Sequence, residues 1–369
     1  MGEVLGLGVT HYPPLSGCDA DMANILKGRL QDPDVPAHEK DPANWPAEMR
    51  AEWGDDEGLA GAARHRAAML HGLRKAREAL DAFNPDFVII WGDDQYENFR
   101  ETIIPPFCVM AYEDMAVRPW GHASESAMFS DKEDEWGGGK PNVWKERKDF
   151  EIMVRGHRKA AKHIVESLLE RDFDVSYAYK PLHHPSIPHA FLNSILYLDY
   201  DRRGFPWPVV PFQINCYGRA VISYRGFISR LADRGRELDP PSPSPRRAFD
   251  LGAEVARICA ESPWRVALIA SSSWSHAFLV DRTYRMQPDV ELDRKLYDAL
   301  VAGNWDVWRN LTLRQIEESG DQELLNWFAL AGAMNALGQP CAWSDFVQTY
   351  VFNSSKVTAI FPPAGGLKA

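Results

Sequence analysis

Histidine and carboxylate side chains follow several apolar segments of the sequence, at the point where each segment ends. His11 follows "EVLGLGVT", Asp93 and Asp94 follow "FVIIWG", and His276 follows "RVALIASSSWS". Three more histidines lie in "PLHHPSIPH", after a further short apolar segment: His183, His184 and His189. Imidazole and carboxylate together suit Fe(II), Mn(II) or Zn(II) better than Ca²⁺. These residue types therefore indicate a transition-metal site, provided that the fold brings the segment ends together.

Each of these residues also has an ordinary structural interpretation. A single histidine after a strand is usually a hydrogen-bonded loop residue, and His276 could simply bond to a backbone carbonyl near a helix start. Asp93 and Asp94 could cap the next element by accepting hydrogen bonds from backbone N–H groups. The case for a site depends on finding several such endings in one chain.

The segments that must position these residues alternate between helix and strand. Apolar residues recur on one helical face of "LAGAARHRAAMLHGLRKAREALDAF", which predicts a helix that ends at "NPD" before the strand "FVIIWGDD". The same alternation recurs along the chain and predicts an α/β fold, a single domain over residues 1–369 with a central mixed, largely parallel sheet flanked by helices. Ligands of such sheets bind beyond the carboxyl ends of the strands.

Three segments depart from this regular alternation. Residues 19–57 and 120–145 are predicted to be long loop insertions, the first with one or two short helices. The prolines of "TIIPPFCVM" indicate an edge strand or a bend. The two insertions are the segments expected to build a substrate pocket or a subunit contact.

Composition excludes several other classes of protein. The formal net charge of -11 argues against nucleic acid as the main partner. The five cysteines form no Cys-x-x-Cys pair, which argues against a thiolate zinc site or a disulfide framework and favours a cytoplasmic location. No segment approaches ~18 uninterrupted apolar residues, and no basic signal region precedes the first strand, so neither a membrane span nor secretion is predicted.

Six segments, in order along the chain, resemble the catalytic subunit of the class III extradiol ring-cleaving dioxygenases, the group of protocatechuate 4,5-dioxygenase. They are "GVTHYPPL", "VIIWGDDQYENFRETIIPPF", "HHPSIPHAF", "SSSWSHAFL", "ESGDQELLNWFALAGAM" and "VFNSSKVTAI". The resemblance implies that His11 and Glu323 are metal ligands. It also implies that His276 is the principal acid–base residue and that His184 is a second one, which orients substrate or oxygen.

The chain departs from the family pattern in the turn after "VIIW". Where the family places a histidine ligand after Asn-Asp, this chain reads Gly92, Asp93, Asp94 and Gln95. We predict that a carboxylate replaces the imidazole, and we favour Asp94 over its two neighbours. The resulting His–Asp–Glu set would place two anionic ligands on the metal and make an iron ion more electron-rich.

Other arrangements of the site stay open. A distant histidine could complete a set of two histidines and one carboxylate, and the candidates are His183, His184 and His65. The site could also have changed or lost its metal.

The activity implied by the resemblance is that of a non-heme Fe(II)-dependent dioxygenase, with Mn(II) or Zn(II) as alternative metals. Such an enzyme cleaves the ring of a catechol-type or related phenolic substrate with O₂, and Tyr12, Tyr96 and Trp274 are predicted to contact that ring. A zinc- or manganese-dependent hydrolase or lyase on the same scaffold is the alternative, and a non-catalytic family member is another. The expected assembly is a homo-oligomer, or a complex with a separate small helical subunit.

Overall fold

A computed structural model describes residues 2–121, 141–219, 231 and 237–367 of the chain. Its apolar segments form a central sheet of eight strands, in the order β6-β3-β7-β2-β8-β1-β10-β9. The strands are β1 (Glu3–Val9), β2 (Phe87–Gly92), β3 (Phe107–Met110), β6 (Ser176–Ala178), β7 (Val209–Ile214), β8 (Arg265–Ser271), β9 (Trp343–Val347) and β10 (Lys356–Phe361). A separate two-stranded sheet consists of β4 (Met115–Val117) and β5 (Ile152–Val154).

The four inner strands β7, β2, β8 and β1 run parallel to one another. Strand β3 runs antiparallel to β7, and β10 runs antiparallel to β1. The predicted fold class, a mixed and largely parallel sheet flanked by helices, is confirmed. Because the inner strands share one direction, their carboxyl ends meet at a single edge of the sheet, where a ligand site is expected.

Helices cover both faces of the sheet. One face carries α1 (Asn24–Gln31), α3 (Ala47–Trp53), α4 (Leu59–Phe83) and α6 (His189–Leu198). The other carries α5 (Arg158–Leu169), α7 (Pro245–Glu261), α8 (Val290–Val301), α9 (Trp305–Arg309), α10 (Leu313–Ser319) and α11 (Leu325–Leu337). The short helix α2 (Ala37–Lys40) has no buried residue. Among the described residues, no helix is both long and apolar enough to cross a membrane.

The backbones of α7 and α11 touch where two glycines face the opposite helix. A Cβ atom on Gly252 would lie 1.8 Å from the carbonyl oxygen of Ala329, and one on Gly332 would lie 1.9 Å from that of Phe249. No side chain fits between the helices at this crossing. A 3₁₀ turn over Gln322–Leu324 leads directly into α11, so this contact also fixes the place of that turn.

Sequence patterns located most elements correctly but missed local detail. The predicted helix over 59–83 has those bounds, and it ends at Asn84, whose φ of 46° is left-handed. Residues 19–57 contain three α-helices rather than one or two. For "TIIPPFCVM" the prediction was an edge strand or a bend. The edge strand is wrong, because β3 lies between β6 and β7, whereas Pro106 does stand at a bend directly before β3. The insertion predicted at 120–145 falls largely outside the described residues.

Candidate metal centre

Three side chains from distant parts of the chain meet beyond the carboxyl ends of β1 and β2: His11, Asp93 and Glu323. Each offers one ligand atom, and these atoms all lie within 4.8 Å of one another. His11 Nε2 lies 3.9 Å from Asp93 Oδ1 and 3.4 Å from Glu323 Oε2. Both Asp93 oxygens and Glu323 Oε2 are buried and have no hydrogen-bond partner among the described residues. Unpaired buried carboxylate oxygens are costly, so this arrangement calls for a cation.

The imidazole of His11 is oriented by the end of strand β8. Its Nδ1 lies 3.1 Å from the carbonyl oxygen of Ser271 and 3.0 Å from the Ser271 hydroxyl. A proton on Nδ1 can be donated to that carbonyl, which leaves the lone pair of Nε2 directed at the two carboxylates. Metal-binding histidines are commonly held in this way through their other ring nitrogen.

Glu323 is held by two side chains that bind one of its carboxylate oxygens. The Tyr217 hydroxyl donates a short hydrogen bond to Glu323 Oε1, and Gln95 Nε2 donates to the same oxygen at 3.0 Å. Gln95 also donates to the Tyr217 hydroxyl at 2.9 Å. Oε2 is thereby left to face His11. The sequence analysis named Gln95 only as a neighbour of the expected ligand and did not identify Tyr217.

The structure brings Asp93, rather than the favoured Asp94, into the group of donors. The Asp94 carboxylate accepts hydrogen bonds from the backbone N–H groups of Glu97, Asn98 and Phe99, at 2.9 to 3.2 Å. This is the capping role that the sequence analysis considered as the alternative. Successive side chains of an extended segment point to opposite faces, so Asp93 turns toward Glu323 while Asp94 turns away.

Burial and like charge dominate the electrostatics of the three donors. Burial raises the pKa of Asp93 to about 6. Burial, and then the charge of Asp93, raise the pKa of Glu323 well above its ordinary value. Burial lowers the pKa of His11 well below 6.5, so its imidazole is neutral. Two anionic oxygens and one neutral imidazole nitrogen suit Fe(II), Mn(II) or Zn(II), so the residues present fit a divalent transition metal.

His276 lies beside this cluster, as the resemblance implied. Its Nε2 is 3.5 Å from Glu323 Oε1, and its Nδ1 is buried without a partner among the described residues. Its backbone N–H donates to the Gly320 carbonyl at 2.8 Å, which ties the loop to the segment that carries Glu323. Burial, and then the charge of Lys356, lower the pKa of His276 to about 3, so the ring is neutral in the metal-free protein.

The segment "HHPSIPH" contributes a histidine other than the one predicted. His184 Nδ1 accepts a hydrogen bond from the Ser186 N–H at 3.0 Å. His189, by contrast, packs edge-on against the His11 ring with 5.1 Å between centroids, and its Nδ1 lies 2.9 Å from Glu97 Oε2. Burial lowers the pKa of His189, but the adjacent Glu97 outweighs it and, with Asp93 and Glu323, raises the pKa to about 9. His189 is therefore the residue of this segment that adjoins the candidate ligands.

The other two histidines considered as ligands lie elsewhere. His183 Nε2 lies 2.6 Å from the Thr102 hydroxyl, and the His183 side chain is exposed. The buried His65 packs against the ring of Phe352, with 5.0 Å between centroids. The structure brings neither into the group of donors.

The three predicted substrate contacts occupy different environments. Trp274 is fully buried in the hydrophobic core against Trp308 and Trp327, so the structure does not support a contact with substrate. Tyr12 is also buried, with Lys356 Nζ 3.5 Å from its ring centroid. Tyr96 is partly exposed, has a left-handed φ of 63°, and donates its hydroxyl proton to a carboxylate at 2.7 Å. Tyr96 is the one of the three that borders the turn carrying Asp93 and is open to solvent.

A comparison with protein families finds one matching model. The model described as the catalytic LigB subunit of aromatic ring-opening dioxygenase matches residues 238–359, about a third of the chain. The matched range contains His276 and Glu323, and the resemblance to class III extradiol dioxygenases is confirmed. His11 and Asp93 lie outside the matched range, although the fold brings them to the same place.

Curated relatives of the chain are named as dioxygenases of aromatic compounds. It is 28% identical over 205 residues to the 2,3-dihydroxyphenylpropionate/2,3-dihydroxicinnamic acid 1,2-dioxygenase of Burkholderia vietnamiensis, a match that covers 55% of this chain and 47% of the relative. A second enzyme of that name, from Pseudomonas putida, is 23% identical over 69% of this chain and 68% of the relative. The gallate dioxygenase of Pseudomonas putida is 25% identical over 50% of this chain and 47% of the relative. The chain thus spans only about half the length of the first and third of these relatives.

Proposed function

We propose that this protein is a non-heme Fe(II)-dependent dioxygenase that cleaves the ring of a catechol-type or related phenolic substrate with O₂. The observation that carries the proposal is the convergence of His11, Asp93 and Glu323, with unpaired buried oxygens on both carboxylates, beside the neutral His276 in a chain that matches the LigB model over residues 238–359. Three protein ligands leave positions on a metal for a substrate and O₂.

The residues of the site have distinct roles in this proposal. His11, Asp93 and Glu323 hold the metal, which when bound lowers the pKa of the substrate hydroxyls and gives substrate and O₂ a common binding point. His276 accepts a substrate proton at Nε2, because its ring is neutral and lies beside the cluster, and later returns that proton. Tyr217 and Gln95 keep the Glu323 carboxylate turned toward the other donors.

The relatives indicate which substrates to test first. Diols with a carboxylated side chain, such as 2,3-dihydroxyphenylpropionate, and a carboxylated triol, gallate, are the compounds that the relatives' names contain. Because the matches cover only part of each relative, a plain catechol and an aminophenol complete the panel.

The test combines metal analysis with oxygen consumption. Protein purified without oxygen and loaded with Fe(II) is expected to consume one O₂ per diol and to form a yellow ring-opened product. Loading with Zn(II) should give no oxygen uptake. Oxygen uptake absent with every diol, together with hydrolysis of an ester or amide by the Zn(II) or Mn(II) form, would favour the hydrolase alternative. The second carboxylate of the site, Asp93, is the feature that keeps this alternative open.

The proposal also covers the cellular location and the assembly of the enzyme. We expect a cytoplasmic protein that functions as a homo-oligomer or with a separate small helical subunit. Sedimentation of the purified chain, alone and after co-purification from its own host, distinguishes these assemblies.

A further inference from the structure

The pair formed by His189 and Glu97 has no role in the proposed reaction as described so far. Glu97 Oε2 lies 2.9 Å from His189 Nδ1, and the same carboxylate accepts the His189 backbone N–H at 3.1 and 3.2 Å. Three contacts to one carboxylate fix both the backbone and the ring of this histidine. Three such contacts at the start of α6 indicate that His189 is a positioned functional group rather than a solvated surface residue.

His189 lies beside the three candidate ligands of the metal. The ring stands at 86° to the ring of His11, with 5.1 Å between the two ring centroids. Because Nδ1 is bound to Glu97, Nε2 on the other side of the ring is the nitrogen available to a metal.

We propose that His189 is a further protein ligand of the metal, bound through Nε2, with Glu97 as the carboxylate that orients it. The inference rests on the proposed metal site and adds a second imidazole to it. Metal-binding histidines usually donate their other ring N–H to a carboxylate or carbonyl, and the Glu97 contact has that form. His11 satisfies the same rule through the Ser271 carbonyl, so the two imidazoles are held in equivalent ways.

His189 could join the other ligands without a rearrangement of the site. In the structure the three atoms within 4.8 Å of one another belong to His11, Asp93 and Glu323, and His189 stands next to them. The His189 side chain is 25% exposed, and metal binding through Nε2 would leave the contact between Nδ1 and Glu97 in place. In the resulting set of two imidazoles and two carboxylates, the two negative charges balance the charge of a divalent ion.

Metal binding and pulsed electron paramagnetic resonance test the assignment without relying on turnover. Mn(II) is titrated into the full-length, metal-free protein, and the echo modulation from ¹⁴N counts the bound imidazoles. The wild-type protein should show two. His189→Gln should show one and bind Mn(II) at least tenfold more weakly. Glu97→Gln should keep two imidazoles and bind ~10–100-fold more weakly, as is typical when a supporting partner of a ligand is removed.

The matched control is His183→Gln, which changes a histidine of the same loop that is bound to Thr102 and exposed. It should leave both the affinity and the imidazole count at wild-type values. One imidazole in the wild-type protein overturns the inference even if no variant folds, and so does a His189→Gln protein that binds Mn(II) normally.

These results are separable from a failure of the proposed function. Two bound imidazoles without any oxygen uptake would sustain the ligand assignment and refute the dioxygenase. Oxygen uptake with a single bound imidazole would do the reverse.

Discussion

Replacing Asp93 should stabilise the metal-free protein, although the residue lies in its core. Burial raises the pKa of this carboxyl group from 3.8 to about 6. The folded state therefore holds the proton more tightly than the unfolded chain does, and stability is lost as the pH rises through this interval. At 1.36 kcal/mol per pH unit, the loss at pH 7 is about 3 kcal/mol. Asp93→Asn removes this cost, and the new amide can donate to the neighbouring Glu323 oxygen.

The expected change is large enough to measure by thermal unfolding. A chain of 369 residues has an unfolding entropy near ~0.8 kcal/mol/K, at about 2.1 cal/mol/K per residue. A gain of about 3 kcal/mol therefore raises Tm by ~4 °C at pH 7. At pH 5, where less of the carboxyl group must ionise on folding, the gain should fall to roughly half. Chelator-treated wild-type and Asp93→Asn proteins are compared at both pH values, and Mn(II) binding is measured in parallel.

Asp94→Ala provides the contrast, because Asp94 caps the backbone and Asp93 is the proposed metal ligand. Three backbone N–H groups lose their acceptor in this variant, whereas the three donor side chains of the metal site are unchanged. Metal binding should persist in Asp94→Ala and be lost in Asp93→Asn. The reasoning fails if Asp93→Asn is no more stable than wild type without metal, or if Asp94→Ala is the variant that loses the metal.

Four further outcomes follow from the site and the fold. His276→Ala should abolish oxygen uptake and retain the metal. If the purified variant lacks metal, His276 is instead a metal ligand. Metal affinity should weaken up to tenfold per unit as the pH falls below about 6, where Asp93 takes up a proton, and a flat pH profile would contradict this. Tyr217→Phe should weaken metal binding ~10–100-fold, as loss of a supporting partner does, whereas Tyr177→Phe on the exposed edge strand should not. Gly332→Ala should cost about 3 kcal/mol or more, measured by chemical unfolding, because its methyl group would overlap a carbonyl oxygen of α7.

The sequence was sufficient for the architecture because the strands are apolar and the helices periodic. Strand β2 reads "FVIIWG" and is buried along its whole length, as expected of a strand in the interior of the sheet. His11 and His276 were singled out because each follows such a strand, His11 two residues and His276 five residues after its end. Glu323 was not found in this way, since it lies in a short turn before α11, and only the family resemblance pointed to it.

The choice between Asp93 and Asp94 depends on the direction in which each side chain points, which the order of residues indicates only weakly. Counting in twos from the buried Trp91 would have assigned Asp93 to the face of Glu323, but the resemblance allowed either residue. His189 was hidden for another reason. It is the last histidine of a segment in which His184 matched the family, and its partner Glu97 lies 92 residues away along the chain.

Trp274 shows the limit of reading a site from proximity in sequence. It stands two residues before His276, yet its indole points into a cluster of aromatic rings on the far side of the loop. Adjacent residues of an extended loop share a location but not a direction, so nearness in the chain does not predict a common role.

The glycine contact between α7 and α11 divides the metal centre into a fixed part and an adjustable part. Two helices whose main chains touch cannot slide or tilt without collision, so the turn that bears Glu323 is anchored to the scaffold. Among the described residues, the loop after β2, which supplies Asp93, has no such contact with a helix backbone. Attempts to alter the metal preference of this protein would therefore do better to lengthen or reshape that loop than to move the glutamate.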